Sequence, residues 1–396
     1  MKATLISPVL SDPQTVMPRS LVWLFAIASG LSVANVYYAQ PLLDALARDF
    51  AIGDAAIGGV IAATQIGCAM ALLLLVPLGD RVNRRRLMAT QVILLIAALA
   101  AVSMASTAVM LLGCMLAVGL LGTAMTQGLI SYAASAAAPH EQGRVVGAAQ
   151  SGVFIGLLLA RVFSGSISDL FGWRGVYILA ALLMLGIALP LWRRLPVLAA
   201  APNPLSYPRL LISMLALLRQ EKVLQVRGVL ALLMFAAFNI FWSALVLPLS
   251  APPFRFTHTE IGALGLVGVI GALAAGRAGK WADRGYGQRT SAAALALSLM
   301  AWSPAALLVG IVLLDLGGQA LHVTNQSMIF RTRPEAHSRL VGLYMLFYAL
   351  GSGLGAVSTT AVYAHAGWQG VCLLGASVSL LALLFWLITR GMTTSR

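Results

Sequence analysis

A chain of 396 residues that is 60% hydrophobic and only 10% charged carries too little polar surface to clothe a soluble globule. That excludes a water-soluble enzyme or binding module and directs the chain to a lipid bilayer. The net charge of +14 would suit a polyanion, but the basic residues alternate with apolar runs instead of gathering on one groove, which argues against nucleic-acid binding.

In chain order, the first charge-free run is Ser20 to Leu43, followed by Ala55 to Gly79 and Leu87 to His140. A spanning helix takes about 20 apolar residues, so the third run holds two spans. Val145 to Ser168, broken only by Arg161, and Gly175 to Trp192 complete six spans before Arg193. The first run is full length and has no small-residue cleavage site after a short core, so it is expected to stay attached as a helix.

Residues 196–226 follow as a linker, with Pro196, Pro202, Pro204 and Pro208 and then a basic amphipathic stretch from Leu210 to Gln225. Its Arg209, Arg219, Lys222 and Arg227 suit a helix lying on an anionic membrane surface. Beyond it come Gly228 to Phe254, Ile261 to Gly276, a pair between Thr290 and Phe330 broken only by Asp315, and Leu340 to Thr389, long enough for two. The expectation is an all-α integral membrane protein with twelve transmembrane helices, arranged as two six-helix bundles at 1–195 and 227–396.

Placing the termini and alternate loops on one side puts 22 of the 26 Lys and Arg residues there, leaving Arg48, Arg174 and Arg255 on the other and Arg161 inside a span. This positive-inside pattern predicts both termini in the cytoplasm. Cys68, Cys114 and Cys372 all fall in apolar spans with no CxxC spacing and read as small core residues. His322 is alone in the core and no phosphate-binding GxxxxGK[ST] loop occurs, so no metal, haem, cofactor or ATP-driven step is expected, and the chain does not read as an enzyme.

The chain also repeats itself. Pro139-His140-Glu141-Gln142-Gly143-Arg144 through Gly172-Trp173-Arg174-Gly175 returns without gaps 195 residues later as Pro334 to Arg339 through Gly367-Trp368-Gln369-Gly370. Asn35-Val36-Tyr37-Tyr38 likewise matches Asn239-Ile240-Phe241-Trp242, and Asp80-Arg81 matches Asp283-Arg284. Six spans followed by six in the same orientation imply parallel repeats about an axis along the membrane normal, with a site between them near the midplane.

The loop after the second span, Val76-Pro77-Leu78-Gly79-Asp80-Arg81-Val82-Asn83-Arg84-Arg85, and its copy Gly279-Lys280-Trp281-Ala282-Asp283-Arg284, extending to Gly287 and Arg289, resemble the GxxxD[RK]xG[RK][RK] motif of the major facilitator superfamily. The likeness covers essentially the whole chain. It implies a gate on the cytoplasmic side built from Asp80, Arg81, Arg84, Arg85, Asp283, Arg284 and Arg289, which stabilises the outward-facing state. The wording around Tyr37-Tyr38-Ala39-Gln40-Pro41 and His322-Val323-Thr324-Asn325-Gln326 is similar to a bacterial efflux-type branch. In the fifth span Leu157 stands where drug antiporters carry the proline of a Gly-Pro pair, and no Arg lies between Leu111 and Tyr132 in the fourth.

Ionisable groups at membrane depth cost about several kcal/mol unless paired or hydrated, so they are functional candidates. Asp315, Gln319, His322 and Gln326 fall on one helical face, and the repeat sets His322 opposite Gln127 and Gln326 opposite Ser131. Arg161 and Asp315 lie at matching depth, so attraction between them across the seam is expected, with Asp315, His322 and Arg161 coupling protons to transport. Asn35, Tyr38, Gln127, Asn239, Trp242, His322 and Gln326 are the candidate substrate ligands. The sequence thus reads as a monomeric multi-pass secondary transporter of a bacterial inner membrane, in contact with lipid. It exports a small organic solute or drug against protons, with uptake by symport or facilitated diffusion as the alternative and a channel or membrane-bound enzyme more distant.

Overall fold

The computed structural model describes residues 17–80, 82–138, 140–196, 206–268, 291, 307–330, 332 and 337–392. All the regular structure among them is helical. The first half is built from α1 (Arg19–Tyr37), the short α2 (Leu43–Asp49), α3 (Gly58–Met70, continued by a π-helical turn to Leu75), α4 (Arg84–Ser103), α5 (Ala108–Ala136) and α6 (Gln142–Arg194). After the linker helix α7 (Tyr207–Gln220) come α8 (Lys222–Ser250), α9 (His258–Ala263), α10 (Leu307–Phe330) and α11 (His337–Thr389). Expected spans eight and nine fall mostly on 269–290 and 292–306, which lie outside the described residues.

Seven helical stretches among the described residues are long and apolar enough to cross a membrane. Two of these are double. α6 turns back at Gly172 (φ 72°) and α11 at Gly367 (φ 59°), so each supplies two spans. A positive φ at both points favours glycine, and their spacing of 195 residues is that of the sequence repeat. Side chains begin several helices: Asn83 Oδ1 accepts from the Arg86 amide at 3.1 Å, and Thr107 Oγ1 from the Met110 amide at 3.2 Å.

The packing is two-fold in kind. A Cβ added at Gly156 would lie 2.2 Å from the Gly30 carbonyl oxygen, and one at Gly351, its repeat mate, 2.1 Å from that of Leu232. Only glycine lets α6 approach α1, and α11 approach α8, so closely. In α8, 83% of the apolar window is buried, so its apolar character serves contacts with protein. The opposite holds on the flank of α1 and α6, where Trp23, Ile27, Ile155 and Leu159 are exposed around a groove of about 850 Å³. Apart from Arg19, Arg144 and Ser151 its lining is largely apolar and turned outward, as suits a lipid-facing surface.

The linker departs from expectation in two ways. Its helix covers Tyr207–Gln220 and stops at Glu221, whose extended backbone (φ −91°, ψ 95°) hands the chain to α8, so Lys222 to Gln225 open span seven. Leu210, Met214 and Leu217 form its buried stripe, while Ile212 and Leu215 are exposed. Arg227 is no surface lipid contact. It is fully buried and donates to Ser291 Oγ at 2.7 Å and to Asn325 Oδ1 at 3.4 Å, inside the second half.

Candidate functional site

A cavity of about 130 Å³ lies between the halves. α5 supplies Gln127 and α6 supplies Gln150 from the first half, and α10 supplies Gln319, His322 and Gln326 from the second. Tyr37 and Tyr348 join their hydroxyls across the seam at its edge. The Phe235 and Tyr348 rings have centroids 3.8 Å apart, and Phe235 meets the His322 ring edge-on at 5.4 Å. His322 Nδ1 is 2.9 Å from the Tyr344 hydroxyl, and its Nε2 is 3.3 Å from Gln326 Nε2. Aromatic faces and amides in this arrangement can stack a flat organic group while hydrogen-bonding its edge.

Above this cavity, towards the end away from the termini, the seam is closed twice. A Cβ on Gly58 of α3 would lie 2.3 Å from the Ala356 carbonyl oxygen of α11, and one on Gly262 of α9 would lie 2.4 Å from that of Arg161 in α6. Gly262 stands 204 residues after Gly58, and Ala356 stands 195 after Arg161, so the repeat relates the two contacts. Thr360 Oγ1 adds a bond to the Ala55 carbonyl at 3.3 Å. The cavity residues Gln150 to Leu157 precede Arg161 on α6, placing the open space nearer the terminus-bearing end.

Arg161 is buried between cavity and seam. Its guanidinium carbon lies 4.0 Å from the Trp242 ring centroid and 5.8 Å from that of Phe238. Its Nε donates to Gln40 Oε1 at 3.1 Å, and Gln40 Nε2 in turn donates to Asn239 Oδ1 at 3.2 Å, a chain that crosses the halves. Asp315, also buried, is within electrostatic reach of Arg161. Among the described residues, Arg161 Nη2 closes no hydrogen bond.

The candidate ligands therefore divide. Gln127, His322 and Gln326 line the cavity. Asn35 and Asn239 use their amides in the same way in both halves, each donating to the carbonyl four residues earlier, at 2.9 Å to Leu31 and 3.1 Å to Phe235. Neither lines the cavity, and Trp242 is the platform for Arg161. Tyr38 packs its ring on Phe163, with centroids 5.2 Å apart, and borders the outward groove. Sequence reasoning missed Gln65, Gln150 and Tyr348 as cavity residues. Gln150 lay in plain view four residues before Phe154 on the same face of span five, and the tyrosines gave no signal because aromatic residues are common in apolar spans.

Of the expected gate, Arg81, Asp283, Arg284 and Arg289 lie outside the described residues, and so does the side chain of Asp80. Arg84 donates to the Gly79 carbonyl at 3.0 Å and to Ser135, and Arg85 donates to the Trp192 carbonyl while lying 5.3 Å from that ring's centroid. These bonds join spans of the first half to one another. Cys68 and Cys372 are buried and Cys114 half-buried, all as free thiols.

A family model for the Major Facilitator Superfamily matches residues 23–303 and 228–395. The chain belongs to the major facilitator superfamily. It is 41% identical over 386 residues to the "Uncharacterized transporter YgaY" of Escherichia coli O157:H7, covering 95% of this chain and 97% of that one. Among solved structures, a bacterial homologue of the human lysosomal transporter Spinster, captured inward-facing and unoccupied, superposes with a TM-score of 0.74 at 15% identity, covering 96% of this chain and 98% of that one. A POT family transporter in complex with 5-aminolevulinic acid gives 0.76 at 12% identity, over 96% and 97%. At these identities the superpositions speak for the fold alone.

Proposed function

We propose that this chain is a secondary active transporter of a bacterial inner membrane, monomeric and with both termini cytoplasmic, that exports a small organic solute in exchange for protons by alternating access. The observation that carries the reading is the cavity between two repeat-related halves, sealed at one end by two repeat-related glycine contacts. A carrier needs one site and two seams that open in turn, and glycine contacts without interlocking side chains can part and re-form. Gln127, His322 and Gln326 hold the solute. Arg161 and Asp315 attract across the halves, and protonating Asp315 weakens that attraction and favours parting of the far seam. Arg84 and Arg85 brace the other end.

The test is purified protein in liposomes under an imposed pH step, with internal pH followed while a panel of solutes is added and Asp315→Asn run alongside. Solute-triggered proton movement that disappears in Asp315→Asn supports exchange, with its direction giving export or uptake. Solute flux with no proton movement, unaltered in the variant, removes Asp315 from coupling and leaves facilitated diffusion.

A further inference from the structure

We infer that His258 is the gating residue of the far seam, a clasp held by two carboxylates of the opposite half whose closure depends on the proton it carries. The inference rests on the alternating-access reading.

His258 opens α9, the entry to span eight, where Thr257 and Glu260 form a capping box that fixes the helix start. Its ring stands between two residues of the first half. Nε2 is 2.9 Å from Asp44 Oδ1 of α2, and Nδ1 is 3.0 Å from Asp169 Oδ1, near the outer end of the first leg of α6. Asp169 is tied further by the His258 amide at 3.2 Å and by the Thr259 amide and hydroxyl at 2.8 and 2.6 Å. Directly beneath, a Cβ on Gly165 would lie 2.1 Å from the His258 carbonyl oxygen. The ring thus sits at a close approach of the two halves.

An imidazolium donates from both nitrogens and satisfies both carboxylates. A neutral ring has one donor, so its other nitrogen presents a lone pair to a carboxylate at hydrogen-bond distance, which is repulsive. Losing the proton therefore breaks one side of the clasp and leaves Asp169 held by Thr259, while among the described residues Asp44 has no comparable tie to the second half. The other charged groups around the ring are already engaged. Arg48 lies 3.0 Å from Asp44 Oδ2, Glu260 caps Thr257, Arg174 pairs with Asp49, and Arg161 is turned to Trp242 beneath Gly262. The hydrogen bond that His258 donates to Asp44, with the charges of both carboxylates, raises the affinity of His258 for its proton above the ordinary histidine value against the effect of burial. The clasp is accordingly complete below that ordinary value and is lost as pH rises through the raised one. A one-proton switch changes the closed-to-open ratio by at most about tenfold per pH unit.

The experiment uses the full chain in lipid nanodiscs, with Cys68, Cys114 and Cys372 replaced. Spin labels go at Ser106 and His365 across the far end, and separately at Val82 and Met392 across the terminus-bearing end. Distances are read over about pH 5 to 9. The inference predicts that the far-end pair moves to longer distances with rising pH, that His258→Gln abolishes this response, and that His258→Lys, charged throughout, holds the short distance at every pH. Asp169→Asn, a milder change, should weaken the pH response if His258→Gln does not fold. An unchanged pH response in these variants, or none in the parent, overturns the clasp. If the far pair opens without the Val82–Met392 pair closing, the clasp stands and the alternating-access reading fails. Reciprocal motion that is indifferent to His258 gives the converse.

Discussion

The Arg161 guanidinium of span five stacks 4.0 Å from the Trp242 ring of span seven, so an arginine buried in the first half packs against the second half. A desolvated contact of this kind contributes about 2 kcal/mol, and Asp315 adds attraction from span ten. Removing one member of a buried charge pair typically costs about 3–5 kcal/mol because its partner is left uncompensated. Arg161→Gln and Asp315→Asn should each lower resistance to unfolding in detergent, and the double variant should lose less than their sum, with a coupling above about 1 kcal/mol. Strictly additive losses would mean that the two charges act independently.

At the far seam, Gly58 and Gly262 leave no room for a methyl group against the facing carbonyls. Overpacking costs about 1–3 kcal/mol, and here it falls on the closed arrangement alone. Gly58→Ala or Gly262→Ala should raise labelling of a cysteine at Thr360, a buried position, by membrane-impermeant maleimide about tenfold. Unaltered labelling would show that the seam does not part at this point.

In the cavity, losing one hydrogen bond to a bound solute is worth about 0.5–1.5 kcal/mol. Gln127→Ala and Gln326→Ala should each raise KM about 2- to 10-fold in liposome transport, with the protein remaining folded. Tyr38→Phe should leave KM unchanged, because that ring borders the outward groove. A KM effect at Tyr38 without one at Gln127 would move the site out of the cavity.

Buried Arg227 organises the second half through Ser291 and Asn325. Arg227→Met should lower the melting stability by about 1–3 kcal/mol, equally in zwitterionic and anionic nanodiscs. A loss confined to anionic nanodiscs would return Arg227 to the membrane surface.

The helical class and the internal repeat that carries Gly172 and Gly367 were legible in the sequence, because apolar run length and repeated residues are one-dimensional signals, whereas the positive φ that turns the chain at these two glycines came only with the structure. The polar stripe of span ten was legible too, since 3.6-residue periodicity places His322 and Gln326 on one face. What resisted reading was direction around the helix axis in spans apolar on every side. Tyr37 and Tyr38 are neighbours in sequence, yet one borders the cavity and the other the outward groove. Arg227 looked like part of a basic surface run, because nothing in the sequence marks where a linker ends and a buried helix begins. His258 carried no signal at all: its partners Asp44 and Asp169 are distant in sequence and meet it only through folding.

The central claim, one site reached alternately from two sides, is tested most directly by solute counterflow in liposomes loaded with unlabelled substrate from the pH-step panel. The account predicts a transient accumulation of labelled solute above its equilibrium level, which falls when Gln326→Ala weakens binding. Simple equilibration without overshoot, at rates that do not saturate, would contradict it and make the space between the halves a pore.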